Sequence, residues 1–121
     1  MELYGKALNL RIQCGETDKY ESQPLYEAII YAARKEGMAG ATAFRGVMSF
    51  GASHSIHTMK IFALGGDLPI LIDITDNEER VKKFIPIVEE MMEKSGKGGM
   101  ITTHEVEVHR YLPGKKHRNE S

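Results

Sequence analysis

Two stretches of this sequence combine residue types that can hold an anion. Gly96, Lys97, Gly98 and Gly99 set three glycines around one lysine. Consecutive glycines can turn their backbone N–H groups inward to cradle a phosphate, and an ammonium adds a point charge. The same string also suits a helix C-cap leading into a strand, so both readings stand. Arg45 followed by Gly46 can clamp a carboxylate or phosphate bidentately, the glycine allowing close backbone approach. The alternative for Arg45 is an ion pair with a neighbouring acid.

The remaining chemistry-bearing residues say less. His54 and His57 are three apart, and with His104 and His109 they could gather a metal only if a turn brings them together, because strand positions three apart face opposite ways. A hydrogen-bonding role, at a subunit interface for instance, is the other reading. Cys14 reads as a small core residue. Met91 and Met92 read as helix core or an oligomer contact, and Glu89 and Glu90 as solvated helix surface. Ser53, His54 and Ser55 are suggestive only as a string: no spacing specifies a nucleophile beside a base or two opposed acids. The chain is therefore expected not to be an enzyme.

The elements that must position these groups follow from periodicity. Lys6 to Cys14 alternates, with Leu8, Leu10, Ile12 and Cys14 on one side, which predicts a strand buried on one face. Ser22 as a cap, Pro24 in the first turn, and apolar residues from Leu25 to Ala33 predict a helix stopped by Gly37. Ala41 to Val47 and Ile56 to Leu64 predict an antiparallel strand pair joined by a turn or short loop. Ile70, Leu71, Ile72 and Ile74, interrupted by Asp73, predict a strand covered on both faces. Asp76 with Glu79 approximates a capping box for a second helix over Val81 to Met92, in which Pro86 demands a kink or a later start. Ser95 to Gly99 is a glycine-rich break, and Met100 to Tyr111 is a last strand.

We expect an α+β domain, the ferredoxin-like βαββαβ arrangement: an antiparallel sheet with two helices on one face. It covers residues 1–112, followed by a flexible basic tail at 113–121. At 121 residues, two independent domains are excluded. A net charge of −1 offers no cationic field for nucleic acid. One cysteine excludes a disulfide scaffold. No apolar run approaches the roughly 20 residues that span a bilayer, and the N-terminus has no signal-peptide pattern. A cytoplasmic location with no membrane insertion is expected. Met59, Ile61 and Ala63 together with Ile70 to Ile74 cannot all point toward the helices, so the other sheet face should be apolar and covered by further copies of the chain.

Three quoted stretches then carry a resemblance: GETDKYESQPLYEAIIYAARKEGMAGATAFRGVMSFG, SIHTMKIFALGGDLPILIDITDNEE and GKGGMITTHEVEVHRY. From about Leu8 to Tyr111 the chain resembles a family of small uncharacterised proteins similar to the PII signalling proteins. The specific pieces are Pro24 to Glu27, Ala39 to Gly46, and Ile56 to Thr58 with Asp67, Leu68 and Pro69 behind them. Where the family has RGxxGFG, this chain runs from Arg45 to Gly51 with Ser49 in place of one glycine. The resemblance implies a homotrimer with ligand sites in the clefts between subunits. PII proteins sense ATP, ADP and often 2-oxoglutarate, and contact targets through a long loop, which here is only Val47 to Ser55. It further implies Arg45, Gly46, Gly51, Lys97, Gly98, Gly99 and Arg110 as ligand-binding residues. Lys97 lies among the glycines rather than just after them, and Leu112 stands where a second basic residue is expected. The ligand implied is an adenine nucleotide acting as an effector, with no cofactor and no metal; a protein target is implied but not identified. The alternatives are a small enzyme acting on a phosphorylated metabolite in the same cleft and an oligomeric interaction module with no small ligand.

Overall fold

Alternation along the first strand sets the architecture. In the computed structural model, which describes residues 3–52, 56–58 and 67–117, β1 runs Gly5–Gly15 and buries Leu10, Ile12 and Cys14 on one side. A two-residue hairpin of β2 (Lys19–Tyr20) and β3 (Gln23–Pro24) leads into α1 (Leu25–Lys35). The cap is not Ser22. Pro24 holds that position with an extended backbone and no side-chain bond, its fixed φ turning the chain into the helix. The predicted stop is present: Gly37 has φ +76, its N–H reaches Arg34 O and the Met38 N–H reaches Ala33 O, the paired bonds of a Schellman motif.

The strand pairing differs from the expectation. Among the described residues β4 (Thr42–Arg45) pairs antiparallel with β7 (Pro69–Asp76) rather than with the segment from Ile56. β5 (Met48–Ser49) and β6 (His57–Thr58) form a short separate hairpin, and the rest of the expected strand, Met59 to Leu64, lies outside the described residues. After β7 comes α2 (Glu78–Ser95), then β8 (Met100–Val108), shorter than the expected strand to Tyr111. A 3-10 turn at Lys115–His117 follows. The main sheet has the order β4-β7-β1-β8, all antiparallel. Strand neighbours that skip a crossover helix on each side make this the ferredoxin-like α+β arrangement.

Both helices pack on the same side. Leu25, Ala28, Ile29 and Ala33 of α1 and Val81, Phe84, Val88, Met91 and Met92 of α2 close over Leu10, Ile12, Ile70, Ile72 and Ile74 in one core. At the start of α2 the capping residue is Asn77, whose side chain accepts from Arg80 N at 2.8 Å. Asp76, one residue earlier, is 1% exposed and accepts from Ala39 N (2.8 Å) and Asn77 N (2.7 Å), with Arg80 4.0 Å away. Pro86 does not delay the start: the helix begins at Glu78 and runs through it. Pro86 is exposed, as is Lys82 one turn before, so water can take the Lys82 carbonyl that proline leaves without a donor.

The sheet face away from the helices is banded, not uniformly apolar as expected. Across the strands, Phe44, Leu71, Gln13 and Met100 form one row, Thr42, Asp73, Arg11 and Thr102 the next, and Thr75, Asn9 and His104 a third. β7 is therefore covered fully on one side only, Leu71, Asp73 and Thr75 being half-buried. Phe44 at 52% exposure and Met100 at 59% flank the apolar row. Met59, Ile61 and Ala63 lie outside the described residues. Among the described residues no helix is long and apolar enough to cross a membrane.

Candidate functional site

The antiparallel register brings the ends of all four sheet strands together. Arg45 pairs with Ile70, Ile70 with Cys14, and Gln13 with Met100, so the turn before β8 and the Arg45–Gly46 step share one end of the sheet. Here both readings of the glycine string meet physical tests. Gly96 is the left-handed C-cap of α2 (φ +72), its N–H bound to Glu93 O, and Lys97 N donates to Ser95 Oγ at 3.3 Å. These two N–H groups are committed to ending the helix, which leaves Gly98 and Gly99 as the donors a phosphate cradle could use. Gly99 is there for space: a Cβ on it would lie 2.5 Å from Gln13 O and 2.3 Å from Met92 Cε.

Arg45 takes the ion-pair alternative. Its Nη2 meets Glu16 Oε2 at 2.5 Å. Gly46 packs against Pro69, where a Cβ would be 2.6 Å from Pro69 Cγ, and its N–H donates to Pro69 O at 2.8 Å. Gly51 lies in the β5–β6 loop, with nothing within 4 Å of a Cβ built on it.

Three acids that sequence reasoning did not single out surround this end. Asp18, 6% exposed, accepts from Gly15 N at 2.9 Å, and Asp67 accepts from Thr17 N at 3.0 Å. A Cβ on Gly15 would be 2.1 Å from Asp67 Oδ2 and 2.9 Å from Asp18 Oδ1, so both carboxylates converge over that glycine. Burial first, and the nearby Asp67 charge second, raise the Asp18 carboxyl above its usual range, against the Gly15 N–H and Lys97, which lower it. Desolvation with the same two carboxylates pushes the Cys14 thiol up to about 12, which makes it the inert core residue expected. Glu16 completes the set; its Oε1 is buried without a hydrogen-bond partner. The GETD string after a strand was the available signal, since Asp18, three residues past Gly15, bonds back to its own turn.

Arg110 is elsewhere. It lies past the far end of β8, whose nine residues span about 30 Å, so one chain does not bring it to Lys97 or Arg45. It lines a cleft of about 340 Å³ with Tyr111, Gly40, Thr42, Asp73 and Thr75. Tyr111 OH donates to Ala39 O at 2.5 Å, and Gly40 makes room, since a Cβ there would be 2.8 Å from that hydroxyl. Asn9, 6% exposed, fixes the cleft wall by donating Nδ2 to Asp73 Oδ1 (2.7 Å) and Thr75 Oγ1 (2.9 Å), and Arg11 Nε stands 3.5 Å from Asp73. The Asn9 Oδ1 is buried without a donor. Asp73 was visible in sequence as the break in an apolar run; the alternation puts it on the open face.

His104 and His109 are exposed, and no group of three or more potential metal ligands occurs among the described residues. His54 and the His57 side chain lie outside them.

Comparison with known proteins agrees with this architecture. The family DUF190, described as Uncharacterized ACR, COG1993, matches residues 7–108. A UPF0166 protein of Aquifex aeolicus is 36% identical over 99 residues, 82% of this chain and 90% of that one. UPF0166 protein MJ1524 of Methanocaldococcus jannaschii is 32% identical over 91 residues, 75% of this chain and 83% of that one. Among solved structures, CPII, a nitrogen regulatory PII-like protein from Thiomonas intermedia K12 described as bound to ADP, AMP and bicarbonate, superposes with a TM-score of 0.66. It has 19% identity over 87% of this chain and 90% of that chain, a likeness of fold. With its sequence matched from Ala7, the third residue of the first strand, to Val108 at the end of the last, the chain belongs to the DUF190 (UPF0166) family.

Proposed function

We propose that this protein is a PII-like regulatory protein that binds an adenine nucleotide in the clefts between the subunits of a homotrimer. The observation that carries the reading is the division of its anion-binding residues. Lys97, Gly98 and Gly99 stand at one end of the sheet and Arg110, in its cleft, at the other, so a site using both is complete only where two copies meet. The banded sheet face, with its exposed Phe44 and Met100, is the surface such an assembly would cover. The CPII structure, bound to ADP and AMP, supports the ligand class. The likeness to CPII, a nitrogen regulatory PII-like protein, favours a binding role over catalysis.

The test is a thermal-shift panel of adenine nucleotides and 2-oxo acids on the full chain, alongside its native mass. A ligand that binds only the folded state stabilises it by about 2.7 kcal/mol at 100 times its Kd. Arg110→Ala and Lys97→Ala should each weaken the nucleotide while leaving the unliganded melt unchanged. A monomer at high dilution, or no shift with any nucleotide, overturns the proposal and favours an interaction module. Nucleotide turnover would favour an enzyme.

A further inference from the structure

Glu16 sits where an arriving anion has to contend with it. It follows the last residue of β1, and Arg45 is the last residue of β4. β7 lies between those strands, so the 2.5 Å pair spans its first residue, Pro69. The partners are unequal: the Arg45 side chain is 50% exposed and the Glu16 side chain 14%. The second carboxylate oxygen of Glu16 is buried without a donor, so this group is largely desolvated and incompletely bonded, a costly state for a carboxylate. The backbone cannot share the work of holding a ligand, because the Gly46 N–H is spent on Pro69 O. Whatever anion Arg45 takes, it takes with its guanidinium, on which Glu16 already sits.

We propose that Glu16 is a built-in competitor for Arg45, which the phosphate of a nucleoside diphosphate must displace. The inference rests on the nucleotide reading above. It assigns Glu16 a role in setting affinity: the acid keeps the guanidinium occupied when no ligand is present, and Asp18 and Asp67 beside it add repulsion toward any anion. It also ties occupancy to the β5–β6 hairpin, whose first strand begins three residues after Arg45.

The experiment is calorimetric titration of the full chain with ADP, for the wild type, Glu16→Gln, Arg45→Ala and the double variant, each checked for folding by its thermal melt. Glu16→Gln should tighten ADP by about threefold to fivefold, the upper part of the range of an exposed ion pair, and Arg45→Ala should weaken it. In the Arg45→Ala background the Glu16→Gln effect should shrink to less than about twofold, because the competitor then has nothing to occupy. Glu16→Ala serves if Glu16→Gln does not fold. Unchanged or weaker ADP binding in a folded Glu16 variant overturns the proposal. So does an equal gain in the Arg45→Ala background, which would make Glu16 a source of repulsion alone. If none of the four proteins binds ADP, the nucleotide reading itself is what has failed.

Discussion

Adding one methyl group to the turn before β8 separates its structural role from any role toward a ligand. In Gly99→Ala the new Cβ would stand 2.3 Å from Met92 Cε and 2.5 Å from Gln13 O, where ordinary contacts begin at 3.4 Å. The Met92 terminus can rotate away. The carbonyl cannot, because it belongs to the central strand β1, and Gln13 is the residue that pairs with Met100 at the start of β8. The turn must therefore retreat by about 1 Å, overpacking that costs about 1–3 kcal/mol, and loosening the first rung adds about 1 kcal/mol. A loss of about 2–4 kcal/mol lowers Tm by about 8–16 °C for a chain of this size. Gly98→Ala is the control: nothing lies within 4 Å of its Cβ and its φ is not positive, so its stability should stay within about 0.5 kcal/mol of wild type. Circular-dichroism melts of both variants at one protein concentration decide the matter. A Gly99→Ala melt indistinguishable from wild type, or a Gly98→Ala loss of equal size, refutes the reasoning.

Other expectations follow from the same geometry. Asp76→Ala removes a buried carboxylate that serves two backbone N–H groups and leaves Ala39 N without its acceptor; urea unfolding should show a loss of about 3–4 kcal/mol, and a loss below about 1 kcal/mol would contradict this account. Cys14, with its thiol pushed up to about 12, should stay silent toward a disulfide reagent at pH 8 in the native state and react once urea unfolds the chain; rapid native labelling would show that the site is open. Because the Asp18 carboxyl titrates above its usual value in the fold, the folded state binds its proton more tightly than the unfolded state. This group therefore costs stability at neutral pH, a cost relieved as pH falls through the raised value. Asp18→Asn, which keeps an acceptor for Gly15 N–H, should raise the urea midpoint at pH 7 and lose that advantage toward pH 4. A pH-independent difference would dispose of the idea.

What could be read from the sequence was local. The alternation from Leu8 to Cys14, the helical spacing after Pro24 and the left-handed Gly37 and Gly96 depend on neighbours along the chain, and all reappear in the structure. The pairing of β4 with β7 was not legible, because choosing a partner for Thr42–Arg45 is a decision between distant apolar segments of similar composition. The caps shifted by one or two residues for a related reason: Asp76, the expected cap, is drawn into the interior by Ala39 N, a contact 37 residues away in the chain. The candidate site was recognised as a set of residues but not as a geometry. Lys97 and Arg110 look near in sequence, yet an extended strand lies between them, and the ring of Glu16, Asp18 and Asp67 exists only because the ends of β1 and β7 coincide.

The backbone contact between Leu3 N and Tyr111 O, at 3.4 Å, has an engineering consequence. Residues 3 and 111 are already neighbours, so the ends can be spliced through a short linker and the polypeptide reopened between Gly51 and Ala52. Such a circular permutant would keep the four-stranded sheet while cutting the covalent continuity of the β5–β6 arm, and so would report whether that arm must be unbroken to pass on what happens at Arg45.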